Sequence, residues 1–244
     1  MSSLDINKKI SKYNHTVYSN RNIKYIVIHW VGSVSSAKNN ADYFYNGDRQ
    51  ASAHYFVDDN SIWQVVLEKN AAWAVGGGPL DQGSPYAKYG KKYFGKCTNA
   101  NSISIEMCCK KDSKGKLYIS DETIKRTAKL VQNIQKRHGI PDSKVIRHFD
   151  VNGKICPGTH IEQLSWDILH SKLTGNYIRV KTKGELIARE GYKLSSAKTR
   201  TLTNGYIYGI IQTKTIKIPK SVKRGRTIKG DWITITSKYV DIIE

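Results

Sequence analysis

The chain has 244 residues, 39% hydrophobic and 25% charged, with 40 Lys plus Arg against 20 Asp plus Glu and a formal net charge of +20. This composition excludes a disordered chain, and the length allows one large domain or two smaller ones. No apolar run is long enough to span a membrane, and the four cysteines (Cys97, Cys108, Cys109 and Cys156) form no evident secreted disulfide framework. The start, Met1-Ser2-Ser3-Leu4, carries no apolar core of signal-peptide length, so synthesis in a cytoplasm is expected, with release needed to reach any target outside. Residues 1–175 hold 25 basic and 15 acidic residues, and 176–244 hold 15 and 5, so the shorter part is far more basic per residue. A field of that sign favours a polyanionic partner: nucleic acid, anionic membrane or an acidic wall polymer.

In chain order, Lys24 to His29 is an apolar run that ends on a polar residue, which predicts a buried central strand with His29 at a strand end. Ser36 to Tyr45 reads as a short helix with Ala37, Ala41, Phe44 and Tyr45 on one side. Ala53–Val57 and Ile62–Val66 flank Asp58-Asp59-Asn60 and read as a hairpin. His54 lies on its first strand, as a second candidate ligand or as a hydrogen-bonded strand residue. Asn70 to Pro79, with Trp73, Gly76 and Gly77, reads as a loop able to line a groove.

Ser102–Cys108 alternates polar and apolar residues and then breaks the pattern with Glu106, a carboxylate that needs either an ion partner or a functional reason. Asp121 to His138 is the clearest helix, acidic in its first turn, basic in its last, and stopped by Gly139 and Pro141. His138 reads as a residue capping that helix. Lys144–His148 is a short strand, and Ile161–Leu173 a second amphipathic helix with Ile161, Leu164, Trp166, Ile168 and Leu169 on its apolar face. The first part thus alternates strands and helices, the pattern of an α/β domain. Beyond a turn at Thr174-Gly175-Asn176 only short β-rich runs follow. They predict a small barrel or sandwich and a domain boundary near residue 175.

Arg147-His148-Phe149-Asp150-Val151-Asn152-Gly153-Lys154-Ile155-Cys156-Pro157-Gly158 puts a His, a Lys and a Cys in one short stretch. His and Cys are preferred zinc ligands, and a catalytic zinc needs three protein ligands with one position open. His29, His148 and Cys156 are the best set, and their wide spacing argues against a finger-type structural site. Zinc lowers the pKa of bound water from roughly 15.7 toward roughly 7. Amide hydrolysis then needs a base and a cation facing the developing oxyanion, for which Glu106 and Lys154 are the candidates.

His29 after its apolar strand, the strand bearing Glu106, Ala53-His54-Tyr55 to Trp63-Gln64, Ala72-Trp73 and the His148…Lys154-Ile155-Cys156-Pro157-Gly158 block together resemble the zinc-dependent N-acetylmuramoyl-L-alanine amidases of phage and bacteria. Those enzymes share their fold with animal peptidoglycan recognition proteins. The resemblance covers about residues 20 to 170. It implies a mixed central sheet flanked by helices, zinc on His29, His148 and Cys156, and catalytic roles for Glu106 and Lys154. It places His54, Trp73, Gly76 and Gly77 along a glycan–peptide groove. Some members use a tyrosine at the position of Ala53, so Glu106 is the expected base here.

Residues 176–244 loosely resemble Src-homology-3-like wall-binding domains, with Gly230-Asp231-Trp232 as one hint. The expected whole is a phage endolysin, with residues 1–175 catalytic and 176–244 a basic wall-binding domain. It would be made in the host cytoplasm and act on peptidoglycan and anionic wall polymers. A host autolysin is a variant of this reading. A non-catalytic peptidoglycan binder is the alternative, disfavoured by the presence of Glu106, Lys154 and Cys156. A nucleic-acid binder, permitted by charge and by Tyr206, Tyr208 and Trp232, carries least weight.

Overall fold

A continuous apolar run persists as a strand where both sheet faces are covered. Tyr25, Ile26, Val27 and Ile28 meet that condition, all four being buried. The computed structural model describes residues 4–76, 92–182, 185–217 and 221–243. The chain divides into two units, Met1–Ile161 and Glu162–Glu244.

In the first unit the elements are β1 (Asn7–Lys8), β2 (His15–Thr16), β3 (Tyr25–Val34), α1 (Ala37–Tyr45), β4 (Tyr55–Val57), β5 (Ile62–Gln64), β6 (Ala71–Ala72), β7 (Ser102–Lys111), β8 (Leu117–Tyr118), α2 (Asp121–His138), β9 (Val145–Arg147) and α3 (Phe149–Asn152). The main sheet runs β1-β5-β4-β7-β3-β9, with β8 on the end of β7. β4, β7, β3 and β9 are parallel to their neighbours, and β5 folds back antiparallel on β4 as the hairpin expected from the sequence. This is the α/β domain that the pattern of elements predicts, with the mixed, helix-flanked sheet that the resemblance implies. Register sets Phe56 and His29 on either side of Glu106. By strand alternation these residues and Cys108 share one face, while Ile28, Ile105 and Met107 line the other. α1 covers the first face through Ala37 and Ala41, which pack with Phe56, Val65 and Cys108. Ala53 lies in the same cluster and is fully buried.

Caps fix the helix ends. Asn39 N–H donates to the Ser36 side chain at 3.0 Å, and Ala37 N–H to Asp58 at 2.7 Å. α2 starts on Ser120 and ends on Gly139 at φ 65°, the left-handed cap that glycine tolerates. Gly139, not His138, caps this helix, and the His138 side chain turns to Glu68 instead. Its Nε2 lies 2.9 Å from Glu68, which also receives Arg137 at 2.9 Å and the Tyr55 hydroxyl at 2.7 Å. These partners outweigh burial and hold the Glu68 carboxyl down at about 2. A folded-state value below the unfolded one gives stability that is complete above about pH 4.5 and is lost as pH falls toward 2. The Glu68→Gln chain should therefore lose on the order of 2 kcal/mol at pH 7 and much less near pH 2.5, read by urea titration at both pH values.

A second fastening was not legible in the sequence. The Arg21 guanidinium donates to the carbonyls of Glu68 (3.2 Å) and Asn70 on one segment, and to those of Asn99 (3.1 Å), Ala100 (3.1 Å) and Ser102 on another. Desolvation lowers its pKa to about 10.

The second unit consists of α4 (Gln163–Leu173), β10 (Tyr177–Val180), β11 (Leu186–Arg189), β12 (Lys198–Leu202), β13 (Ile207–Ile216), β14 (Val222–Thr227), β15 (Trp232–Thr234) and β16 (Val240–Ile243). Its strands form one antiparallel sheet in the order β12-β11-β15-β14-β13-β10-β16. Ile178, Val180, Leu186, Ala188, Leu202, Ile210, Ile233 and Val240 make its core. Composition changes near residue 175, but the division by packing falls before α4, which packs on β13. α4 buries Trp166, Leu169 and Leu173, whereas Leu164, expected on the apolar face, is 58% exposed. Asp231 does not mark a site. It is buried against Arg200 at 2.6 Å and Thr227.

Candidate active site

Three routes through the first unit deliver the ligand set. His29 sits on β3 where the strand leaves the core, Trp30 being the first partly open residue after it. His148 directly follows β9, its N–H donating to the Ile28 carbonyl at 3.2 Å, so its place is fixed relative to β3. Cys156 returns because α3 ends at Asn152, Gly153 turns the chain at φ 81°, and Phe149 N–H donates to the Cys156 carbonyl at 2.9 Å. The next turn packs closely. A Cβ on Gly158 would lie 2.2 Å from the Trp30 ring, so only glycine fits there.

The result is a buried His29–His148–Cys156 cluster whose ligand atoms all lie within 4.8 Å of one another. The imidazoles stand edge to face with centroids 4.7 Å apart, and Cys156 Sγ lies 3.7 Å from His29 Nδ1. One edge of a tetrahedron with Zn–N near 2.1 Å and Zn–S near 2.3 Å is roughly 3.6 Å, so this spacing suits zinc. Burial lowers both imidazoles, aided for each by the nearby Lys154, His148 to about 3. They are thus neutral, the form that ligates. Burial pushes the Cys156 thiol up, so its ionisation needs a cation beside it. His29 Nε2 and both His148 ring nitrogens are buried and have no hydrogen-bond partner. Buried polar atoms left so are costly. Each ring offers one nitrogen to an ion, and a soft-to-borderline divalent cation fits a donor set of His29 Nδ1, one of the two orphaned His148 nitrogens and Cys156 Sγ.

Glu106 faces the cluster, Oε1 lying 4.0 Å from His29 Nδ1, while Oε2 is buried without a partner. Burial pushes its carboxyl up to about 8, against the opposing pull of Lys154. Lys154, exposed on the loop, lines the same cleft of about 350 Å³ with Ile155, Trp73 and the metal-ligand candidates. The cleft has a wall that sequence reasoning missed: Asn40, Tyr43 and Phe44 of α1, together with Ala51 and Ser52. A possible signal was an aromatic pair at the end of a helix too short to bury both, and Tyr43 is indeed 52% exposed.

Other expectations are corrected. His54 neither ligates nor lines the cleft. Ser104 N–H donates to its Nδ1 at 3.0 Å, which leaves the ring proton on Nε2, 3.1 Å from the Asn70 carbonyl. Burial and Arg21 hold it neutral at about 3. Gly76 is exposed at φ 69° and does not line this cleft, and Gly77 lies outside the described residues. Ala53 is packed in the core and supplies no hydroxyl.

Residues 19–159 match the family model described as N-acetylmuramoyl-L-alanine amidase, more than half of the chain. The chain belongs to this amidase family. Among its relatives, the N-acetylmuramoyl-L-alanine amidase CwlL of Bacillus licheniformis is 33% identical over 164 residues, covering 64% of this chain and 42% of CwlL. CwlA of Bacillus subtilis strain 168, another such amidase, is 30% identical over 189 residues, covering 77% and 59%. The chain thus spans about 42% and 59% of the length of these two relatives, less than two thirds of either. The structure of PlyL matches 69% of this chain and 96% of its own at 25% identity, with a TM-score of 0.54. The catalytic domain of XlyA shares the fold over 69% and 99%, at 21% identity and a TM-score of 0.53.

Family membership makes the loop around His148 the part to test for rigidity. Arg147 is buried and pairs with Asp150 at 2.7 Å, while its Nη1 donates to the Ile161 carbonyl at 2.7 Å. Asp150→Asn would remove the carboxylate from this buried pair. We expect a loss of about 3–5 kcal/mol in denaturant unfolding, with weaker metal retention because the adjacent His148 is no longer held.

Proposed function

We propose that the chain is a zinc-dependent endolysin-type amidase that cuts the bond between N-acetylmuramic acid and L-alanine in peptidoglycan. The observation that carries this reading is the convergence of two neutral imidazoles and a thiol beside a buried carboxylate, on the scaffold of the amidase family. His29, His148 and Cys156 would hold the zinc, which when bound supplies Lewis acidity and lowers the pKa of water toward neutrality.

Glu106 is the base. Its carboxyl, held above the ordinary carboxylate range by burial, binds a proton firmly enough to take it from the attacking water and return it to the leaving alanine nitrogen. The Lys154 ammonium faces the carbonyl oxygen as it gains charge. Trp73 and Tyr43 border the cleft and position the glycan–peptide strand. The second unit acts as a Src-homology-3-like wall-binding domain and raises the local concentration of enzyme at its substrate. The site of action is the bacterial wall, reached after release from a phage-infected host. No helix among the described residues is long and apolar enough to cross a membrane.

Mass analysis of digested peptidoglycan tests the reaction. New amino termini on L-alanine are expected, without new reducing sugar ends. Reducing ends would assign a glycosidase instead.

A further inference from the structure

Four strands of the second unit, β11, β13, β14 and β15, carry a face on which, among the described residues, no ion pair balances the charge. Register pairs Lys214 with Arg224, Arg224 with Thr234, Gln212 with Arg226, Arg226 with Trp232, and Arg189 with Trp232. Paired residues of antiparallel strands project on the same side, so Arg189, Lys214, Arg224 and Arg226 share one face. Ile233 and Gly225, on the alternate positions, point the other way into the core.

Arg224 is the informative member. It is 1% exposed, with Nη1 on Thr234 Oγ1 at 2.8 Å and Nη2 on the Trp232 carbonyl at 2.8 Å, while its Nε has no partner. Among the described residues no carboxylate pairs with it, and the charge it feels most is another cation, Arg189. A buried charge without a counter-charge is costly. Three other cations of this unit are ion-paired, Lys181 with Asp241, Lys198 with Glu185 and Arg200 with Asp231, whereas among the described residues no such pair involves Arg189, Lys214, Arg224 or Arg226. Lys214 and Arg226 remain exposed on it, ready to meet an anion.

We propose that this face binds a phosphodiester polymer of the bacterial wall, with Lys214, Arg226 and Arg189 contacting phosphates and Arg224 adding a fixed positive field beneath them. The proposal deepens the wall-binding role given above and rests on it. The balance of residues argues for a backbone reader. Trp232 is buried and the ring of Tyr192, 37% exposed, carries the Lys214 ammonium at 4.3 Å, so open cations outnumber the rings available for the base stacking that single-stranded nucleic acids use.

The test uses the full chain carrying Glu106→Gln, so that binding is read without digestion and whether or not amide cleavage is established. Co-sedimentation is measured over a salt series with intact walls and with walls freed of phosphodiester polymer by hydrofluoric acid. Binding should fall about tenfold on the stripped walls. Lys214→Gln with Arg226→Gln, in chains with unaltered thermal melting, should reduce the slope of log affinity against log salt by roughly 1.5 on intact walls, as expected for two lost phosphate contacts. Equal binding to intact and stripped walls, or an unchanged slope in the double variant, would overturn the proposal. So would tighter binding to single-stranded DNA than to intact walls, which would assign the face to nucleic acid.

Discussion

Glu106→Gln should lower amide hydrolysis by about 10²–10⁴-fold while the protein still binds about one zinc per chain. The argument turns on what the substitution leaves in place. Glu106 sits between β4 and β3 in register with Phe56 and His29, and glutamine fills the same volume, so packing is kept. The ligand set His29, His148 and Cys156 is untouched. What is lost is the basic oxygen 4.0 Å from His29 Nδ1, and with it the only raised carboxyl resolved beside the cluster among the described residues. Position 53 is a buried alanine and offers no hydroxyl in its place. Stopped turnover with zinc retained would fit the assignment. An unchanged rate would remove Glu106 as the base, and loss of zinc would make it a ligand instead.

Cys156→Ala is expected to abolish both zinc retention and activity, for an electrostatic reason. The two imidazoles are neutral, so the thiolate supplies the only negative charge in the ligand set. Without it a divalent cation would enter a buried site with no compensating charge from its ligands. The effect can be read without a turnover assay. A ligand that binds the folded state stabilises it by about 2.7 kcal/mol at a hundredfold excess over its dissociation constant. A chelator should therefore lower the melting temperature of the parent chain and leave that of Cys156→Ala unmoved. An equal chelator effect on both would put the metal elsewhere.

The residues of the candidate site were legible because each breaks a local rule. His29 ends an apolar run, Glu106 interrupts an apolar strand, and Cys156 precedes Pro-Gly. The structure brings these together with His148 and Lys154 as the sequence pattern implies. α2 was also readable to the residue, since its amphipathic face and both caps agree. Less legible was whatever depends on a distant partner. His54 has the composition of a ligand and the surroundings of a structural residue, and only the positions of Ser104 and Asn70 decide between them. The α1 wall of the cleft needed the fold before it could be seen. In the second unit, Lys198–Leu202 and Val222–Thr227 are strands carrying so many charges that no apolar alternation announces them. Val222–Thr227 holds its place through its register with β13, itself one long bulged strand and not the two short runs its sequence suggests.

Arg21 has a consequence for the rim of the cleft. A single guanidinium staples the backbone at 68–70 to the backbone at 99–102. Between those anchors Val75 and Cys97 pack with Tyr25 and Val27 of the strand that bears His29, so the guanidinium and the core hold the same segment from two sides. That segment carries Trp73 to the rim of the cleft, and the double fastening sets how far this wall can stray from the candidate ligands.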